Sequence, residues 1–235
     1  CIAIIPARGG SKGIKDKNLQ KIGDVSLVGR AVQSCISAGF KDVFILSDSD
    51  AIRQEGEDFG ANGEYIRPSN ISHSTSHMFA LYKWFFETML EKVGATPEAF
   101  CCVLPTTPFR PVNALVEAKE ALLSGNYDWV LSINEQEHHP YRTVIFKENA
   151  EDLIEPFVDV SPDVFWANRQ ELPKMYRFNG GVIGGLVRHV LENDEYNISK
   201  QLPTKVKGIE ITSEESFDID TPFELEIARW LHNEK

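Results

Sequence analysis

Positive charge is scarce in this chain. Its 235 residues carry 24 Lys and Arg against 35 Asp and Glu, a formal net charge of -11. Such a balance argues against general affinity for nucleic acid or an anionic membrane, because polyanions are repelled unless a cationic patch is segregated from the rest. Cysteine is also sparse. Cys1, Cys35, Cys101 and Cys102 form no CxxC pair and no zinc-ligand spacing, which argues against a disulfide framework or a zinc site and fits reduced thiols in the cytoplasm. No apolar run approaches the roughly 20 residues that span a bilayer. No charged segment leads into a signal-like apolar core. Internal repeats, low-complexity tracts and obvious linkers are missing as well.

What remains is a chain that is 42% hydrophobic, long enough to bury a sizeable core as one large domain or a domain with an appendage. Short apolar runs alternate with longer amphipathic stretches, the pattern of an α/β protein with a mostly parallel sheet covered by helices. "CIAIIPA" predicts a buried first strand. Helices are expected from Ser26 to Ala38, stopped by Gly39, and from Ala51 to Phe59, closed by Gly60. "DVFILSD" between them predicts a second strand and "GEYIRP" a short third. An aromatic-rich helix follows from Thr75 to Val93, expected to be core rather than a stacking platform. "AFCCVLP" and "DWVLSINE" predict further strands around a helix from about Asn113 to Leu123. Between about His138 and Met175 the rhythm breaks into polar, proline-containing sequence, which predicts an excursion from the sheet as a hairpin arm. Strands are expected again at "GGVIGGLV" and "VKGIEI". A last helix runs from Pro222 to about His232, its start marked by Thr221, Pro222 and Glu224 as a capping box.

Several stretches carry candidate chemistry. "IPARGGSKGIKDKN", residues 5 to 18, follows directly from the first strand, so it emerges at the strand's carboxyl end, where open α/β sheets place ligands. Gly9, Gly10 and Gly13 let backbone N–H groups approach an anion, and Arg8, Lys12, Lys15 and Lys17 can neutralise it. The loop matches neither GxxxxGK[ST] nor GxGxxG; its alternative is a solvated turn. In "SFDIDTPFELE", residues 216 to 226, Asp218 and Asp220 project to one side of an extended segment and can share a divalent cation. The alternative is a pair of acids at a helix N-terminus. His138 and His139 in "EHHPYRT" suit a turn better than a metal, and Arg142 is either a phosphate contact or a surface charge. "RFNGG", residues 177 to 181, either brings an arginine and an amide to a ligand or forms a bulge.

In their order and spacing, "IPARGGSKGIKDKN", "PTTPFR", "EHHP", "FNGG" and "FDIDTP" resemble the bacterial CMP-sialic acid synthetases, the acylneuraminate cytidylyltransferases, over residues 2 to about 230. The resemblance implies a Rossmann-like nucleotidyltransferase domain (residues 1–137 and 176–235), a dimerisation arm at 138–175 and a homodimer. It implies transfer from CTP to a nonulosonic acid, giving the CMP-sugar and pyrophosphate, with Mg2+ or Mn2+. Ala7, Arg8, Gly10, Ser11, Lys12, Lys17, Asn18, Arg67 and Ser76 are then expected to hold the nucleotide. Leu104, Thr106, Arg142, Arg177, Asn179 and Gly180 are expected on the sugar side. Asp218 and Asp220 match the metal-binding acids, and Arg8, Lys12, Lys17 and Asp220 are the expected catalytic groups. Two departures concern the sugar: sialate-specific members have glutamine where this chain has Leu104 and an aromatic residue near Ile183. Loss of an amide removes hydrogen bonds to the sugar, so a legionaminic or pseudaminic acid is the expected alternative. A KDO-type or different sugar nucleotidyltransferase, or an inactive nucleotide-binding relative, is the rival to this reading.

Overall fold

The computed structural model describes residues 1–73, 75–148, 150–193 and 205–234. The apolar runs Ile2–Pro6 (β1), Val43–Leu46 (β4) and Ala99–Cys102 (β5) are buried along their whole length, as strands covered on both faces must be. They form the core of a six-stranded sheet with Trp129–Glu135 (β6), Tyr176–Leu186 (β9) and Val206–Glu210 (β10), in the order β10-β6-β9-β5-β1-β4. Five strands run parallel; β9 alone is antiparallel to its neighbours β5 and β6. The mostly parallel α/β sheet expected from the sequence is therefore present. A small hairpin, Lys21–Ile22 (β2) with Val25–Ser26 (β3), sits apart from it.

Helices cover both faces. Leu27–Ser37 (α1) and Val112–Leu123 (α4) bury their apolar stripes on one side. Ser26 Oγ accepts the Gly29 N–H and caps α1, and Gly39 follows its end at a φ of 75°. On the other side Met78–Val93 (α3) supplies an aromatic core. Phe85 is fully buried among Phe44, Tyr65 and Phe86, with ring centroids 5.0 to 5.3 Å away. The aromatic helix is core, as expected. Asp50–Asp58 (α2) follows β4, and Val187–Leu191 (α6) follows β9. Pro222–Asn233 (α7) begins with the expected capping box: Thr221 Oγ1 accepts the Glu224 N–H, and Glu224 Oε2 accepts the Thr221 N–H.

Two expectations are corrected. The aromatic helix starts at Met78 rather than Thr75, because His73 and Ser76 pair with each other. His73 N–H donates to Ser76 Oγ at 3.0 Å, and Ser76 N–H to the His73 carbonyl at 3.1 Å, a local pairing that competes with the helix. "GEYIRP" is not a strand. It touches the sheet edge at an isolated bridge, Ser47 with Ile66, and the residue before it makes another, Phe44 with Asn62. Tyr65 dives into the aromatic core between them, and Pro68 has no N–H to extend the ladder.

The irregular region contains an antiparallel hairpin, Val144–Lys147 (β7) with Ala150–Pro156 (β8), followed by the short helix Pro162–Trp166 (α5). Its apolar side chains point outward: Phe146, Phe157 and Trp166 are 69%, 66% and 79% exposed. No described helix is long and apolar enough to cross a membrane.

Candidate active site

The chain leaves β1 at Pro6 and enters the basic loop at the carboxyl end of the sheet. The loop is tied down from three directions. Ala7 N–H donates to the Leu46 carbonyl at 3.1 Å, Gly9 N–H to Asp48 Oδ1 at 2.7 Å, and Asn18 Nδ2 to the Arg8 carbonyl at 3.0 Å. Gly10 has a φ of 65°, in the left-handed region, and Asn18 is buried beneath the loop. The cost of burying its amide is offset by the bond that pins the loop's backbone. Gly13 has a different reason to be glycine. A β-carbon there would stand 2.6 Å from the Asp220 carbonyl oxygen, so the loop and the FDIDTP segment touch backbone to backbone.

That segment meets the loop again through Lys17, whose Nζ lies 2.9 Å from both Asp220 Oδ1 and the Ile219 carbonyl. Ile219 is fully buried and its N–H donates to the Thr106 carbonyl at 2.9 Å. The alternation places Asp218 and Asp220 on the opposite side. Burial pushes the Asp218 carboxyl up, opposed by a hydrogen bond from Thr106, with neighbouring Asp220 adding to the rise. Asp220 is largely exposed, its side chain 71% accessible. The helix-capping role is taken by Thr221 and by Glu224, which accepts the N–H groups of both Asp220 and Thr221. The two aspartates are thus not needed as caps: Asp218 takes a hydrogen bond from Thr106 and Asp220 pairs with Lys17. Among the described residues no group of three or more His, Cys, Asp or Glu is arranged to hold a metal. A hard cation at this pair would take two protein carboxylates and draw its remaining oxygens from substrate and water, which is how Mg2+ is commonly bound.

Two adjoining hollows meet at Asp220. The first, about 360 Å³, is lined by Arg8, Ser11, Lys12, Lys17, Asn18, Arg67 and Ser76, together with Leu104 and Thr106. It is strongly cationic. Arg67 is buried, with Nε donating to the Ile71 carbonyl at 3.0 Å. Burial pushes its guanidinium down; Asp48 opposes that and Arg8 adds to it. The second hollow, about 740 Å³, is lined by Asn134, His138, Arg177, Asn179, Gly180 and Ser213, along with Asp218 and Glu224. Gly180 adopts a φ of 75° there.

Most residues expected at the site do gather around these hollows, but Ala7 and Gly10 line neither, and three others are placed differently. Leu104 and Thr106, expected on the sugar side, line the first hollow, although a Gly180 β-carbon would lie 3.6 Å from Leu104 Cδ1. Arg142 lines neither hollow; its guanidinium donates to the Ala167 carbonyl in the arm. The distance along the chain was no guide, because a 3₁₀ turn at Pro140–Arg142 redirects the side chain. His139 serves that turn, accepting the Tyr141 N–H at Nδ1 and facing the Pro173 carbonyl through Nε2, which leaves no nitrogen for a metal.

Sequence reasoning missed Asp48, Asn134 and Arg110. Arg110 closes "PTTPFR" and is 4% exposed. Its Nε donates to the Gly181 carbonyl at 2.8 Å and its Nη2 to the Leu104 carbonyl, so one cation ties the wall of the first hollow to the residue that follows Gly180 of the second. Burial pushes it down to about 10, with Cys35, Cys102 and Asp218 acting the other way; it stays charged at neutral pH. The signal was an arginine inside an otherwise apolar neighbourhood. The thiols themselves are inert: burial pushes Cys35 and Cys102 up to about 12.

Residues 2–159 match the family model described as Cytidylyltransferase. The chain belongs to the cytidylyltransferase family. The match covers the basic loop, "PTTPFR", "EHHP" and the β7–β8 hairpin, while "FNGG" and "FDIDTP" lie beyond it. A pseudaminic acid cytidylyltransferase from Campylobacter jejuni is 25% identical over 82% of this chain and 81% of its own. The N-acylneuraminate cytidylyltransferase of Streptococcus agalactiae is 27% identical over 94% of this chain but only 50% of its own length. The resemblance inferred from the motifs is thereby borne out. Among solved structures, a CMP:2-keto-3-deoxy-manno-octonic acid synthetase complexed with CTP superposes over 99% of this chain and 98% of its own with a TM-score of 0.68 at 15% identity. A 4-diphosphocytidyl-2C-methyl-D-erythritol synthase from Anaerococcus prevotii gives 0.65, also at 15% identity. Both share the Rossmann-like nucleotidyltransferase fold.

The backbone contact at Gly13 yields a test. Gly13→Ala forces the basic loop away from Asp220 by roughly an ångström, a displacement of the kind that lowers turnover about a hundredfold. Steady-state kinetics checks this, and an unaltered kcat would contradict the close approach.

Proposed function

We propose that this enzyme transfers the cytidylyl group of CTP to a nonulosonic acid. The observation that carries the reading is the pair of hollows meeting at Asp220: a cationic one sized for a nucleotide's phosphates, and a roomier one lined by amides, hydroxyls and Arg177. The names of the C. jejuni and S. agalactiae relatives support it. In this scheme the anomeric hydroxyl oxygen of the sugar attacks the α-phosphorus in line. The bond between that phosphorus and the bridging oxygen breaks, pyrophosphate leaves with the electron pair, and the hydroxyl proton passes to water.

Arg8, Lys12 and Lys17 neutralise the triphosphate, with Ser11, Asn18 and the backbone at Ala7 and Gly10 shaping the loop. Arg67 and Ser76 border the nucleotide. Arg177, Asn179 and Gly180 face the sugar, and positioning of the two substrates supplies much of the rate. Asp218 and Asp220 would hold Mg2+ or Mn2+, which when bound supplies charge neutralisation at the phosphoryl oxygens. Leu104 lines the first hollow at its border with Gly180, so a sugar reaching across that border would meet methyl groups in place of an amide. That favours a pseudaminic or legionaminic type of acid over N-acetylneuraminate.

We further propose that the arm pairs two copies into a homodimer. Phe146, Ile154 and Phe157 are 69%, 57% and 66% exposed, and a clustered apolar surface of that kind is covered in most soluble proteins.

Two tests follow. Pyrophosphate release is expected with CTP and Mg2+ and one member of a panel of pseudaminate, legionaminate, N-acetylneuraminate and KDO, with UTP and ATP inactive. Asp220→Ala should lower it about a hundredfold or more. Release from KDO alone, or full activity of the Asp220 variant, would contradict the reading. Light scattering should give twice the chain mass, falling to one chain in Phe146→Glu; a wild-type monomer would refute the dimer.

A further inference from the structure

The floor of the second hollow carries a line of hydrogen bonds whose direction is fixed by groups that can only donate. Val182 N–H donates to Ser132 Oγ at 2.7 Å, and Ser132 Oγ to Asn179 Oδ1 at 2.6 Å. Gly181 N–H donates to the same Asn179 oxygen at 3.1 Å. The Asn179 oxygen is therefore turned to the backbone, and its Nδ2 reaches the other way, to Asn134 Oδ1 at 3.2 Å. Arg177, which has no acceptor, brings Nε to that same Asn134 oxygen at 3.4 Å. The Asn134 amide thus has one possible orientation, and its Nδ2 lies 3.4 Å from Ser213 Oγ.

Asn134 is 4% exposed, on the face of β6 that also buries Val130 and Ser132. A β-branched apolar residue would suit a strand there without any need for partners. Among the described residues lining this hollow, Arg177 is the only lysine or arginine, set among Glu137, Asp218, Asp220 and Glu224. Its Nε is engaged by Asn134, and its terminal nitrogens make no hydrogen bond to the described residues. A planar fork held at its base and open at its tip suits a carboxylate.

We infer that Asn134 is a positioning residue that aligns Arg177 and Asn179 as one unit, so that the carboxylate of the sugar acid meets the guanidinium tip while neighbouring polar groups meet Asn179. The inference rests on the reading of this hollow as the sugar site. Asn134 sets the affinity for the acid and leaves the nucleotide untouched.

The test compares Asn134→Leu and the isosteric Asn134→Asp with Arg177→Ala and the Asn134→Leu/Arg177→Ala double variant, on the panel acid that the wild type turns over fastest. Leucine removes the acceptor for both partners. Aspartate keeps it but pairs its own charge with Arg177 and competes with the substrate's carboxylate. Each single variant is expected to raise KM for the acid about tenfold or more, with KM for CTP within about twofold. In the Arg177→Ala background, Asn134→Leu should add little, the non-additivity of two residues acting through one contact. Fully additive effects on KM, or an equal rise in KM for CTP, would overturn the inference while the proposed activity stood. Wild-type enzyme that released pyrophosphate from no panel acid would overturn the activity and this inference together.

Discussion

One contact holds the site together. Lys17 and Asp220, 203 residues apart, meet at 2.9 Å, and the same ammonium takes the Ile219 carbonyl. Around it the basic loop after β1, the "PTTPFR" turn after β5 and the segment before α7 converge at one end of the sheet. Two further contacts there are backbone ones: Gly13 against the Asp220 carbonyl, and Ile219 N–H on the Thr106 carbonyl. Because the apposed groups are backbone, the spacing between loop and carboxylates tolerates little adjustment. The net charge of -11 gives that spacing its electrostatic meaning. A chain that repels polyanions overall gathers Arg8, Lys12, Lys17 and Arg67 around one hollow, so attraction for phosphate is local and ends within about a Debye length.

Arg110 performs the corresponding task inside the protein. A buried guanidinium is stabilising only when its donors are satisfied. Here two of them are taken by the carbonyls of Leu104, in the wall of the first hollow, and of Gly181, next to Gly180 of the second. The two hollows are consequently not independent pockets that happen to adjoin. Their relative position is set by a cation with fixed fork geometry. The polar line from Val182 through Ser132, Asn179 and Asn134 to Arg177 does the same for the far wall.

The fold was legible where local chemistry agrees with tertiary environment. The buried runs of β1, β4 and β5, the Thr221 capping box and the glycine after α1 all report their structure directly. It was illegible where a short-range pairing won: the turn at His73 and Ser76 delays α3, and the buried Tyr65 pulls "GEYIRP" out of the ladder. For the site, the basic loop and the aspartate pair could be recognised because their residue types state their chemistry. Asp48 and Asn134 could not, since each acts through backbone atoms or neighbours brought near by the sheet, and Arg110 offered only the signal of a cation in an apolar stretch. Arg142 shows the converse: its residue type suggested a phosphate contact, and a 3₁₀ turn directs it to Ala167 instead.

The central claim is that two substrates lie side by side across Asp220, the nucleotide against Arg8 and Lys12 and the sugar against Arg177 and Asn179. A co-crystal structure with the CMP-linked product of the preferred acid tests it most directly. The account predicts one continuous ligand, cytidine beside Arg67 and Ser76, its phosphate next to Lys17 and Asp220, and its sugar carboxylate on Arg177. A product bound in the reverse sense, or lying wholly within one hollow, would contradict it.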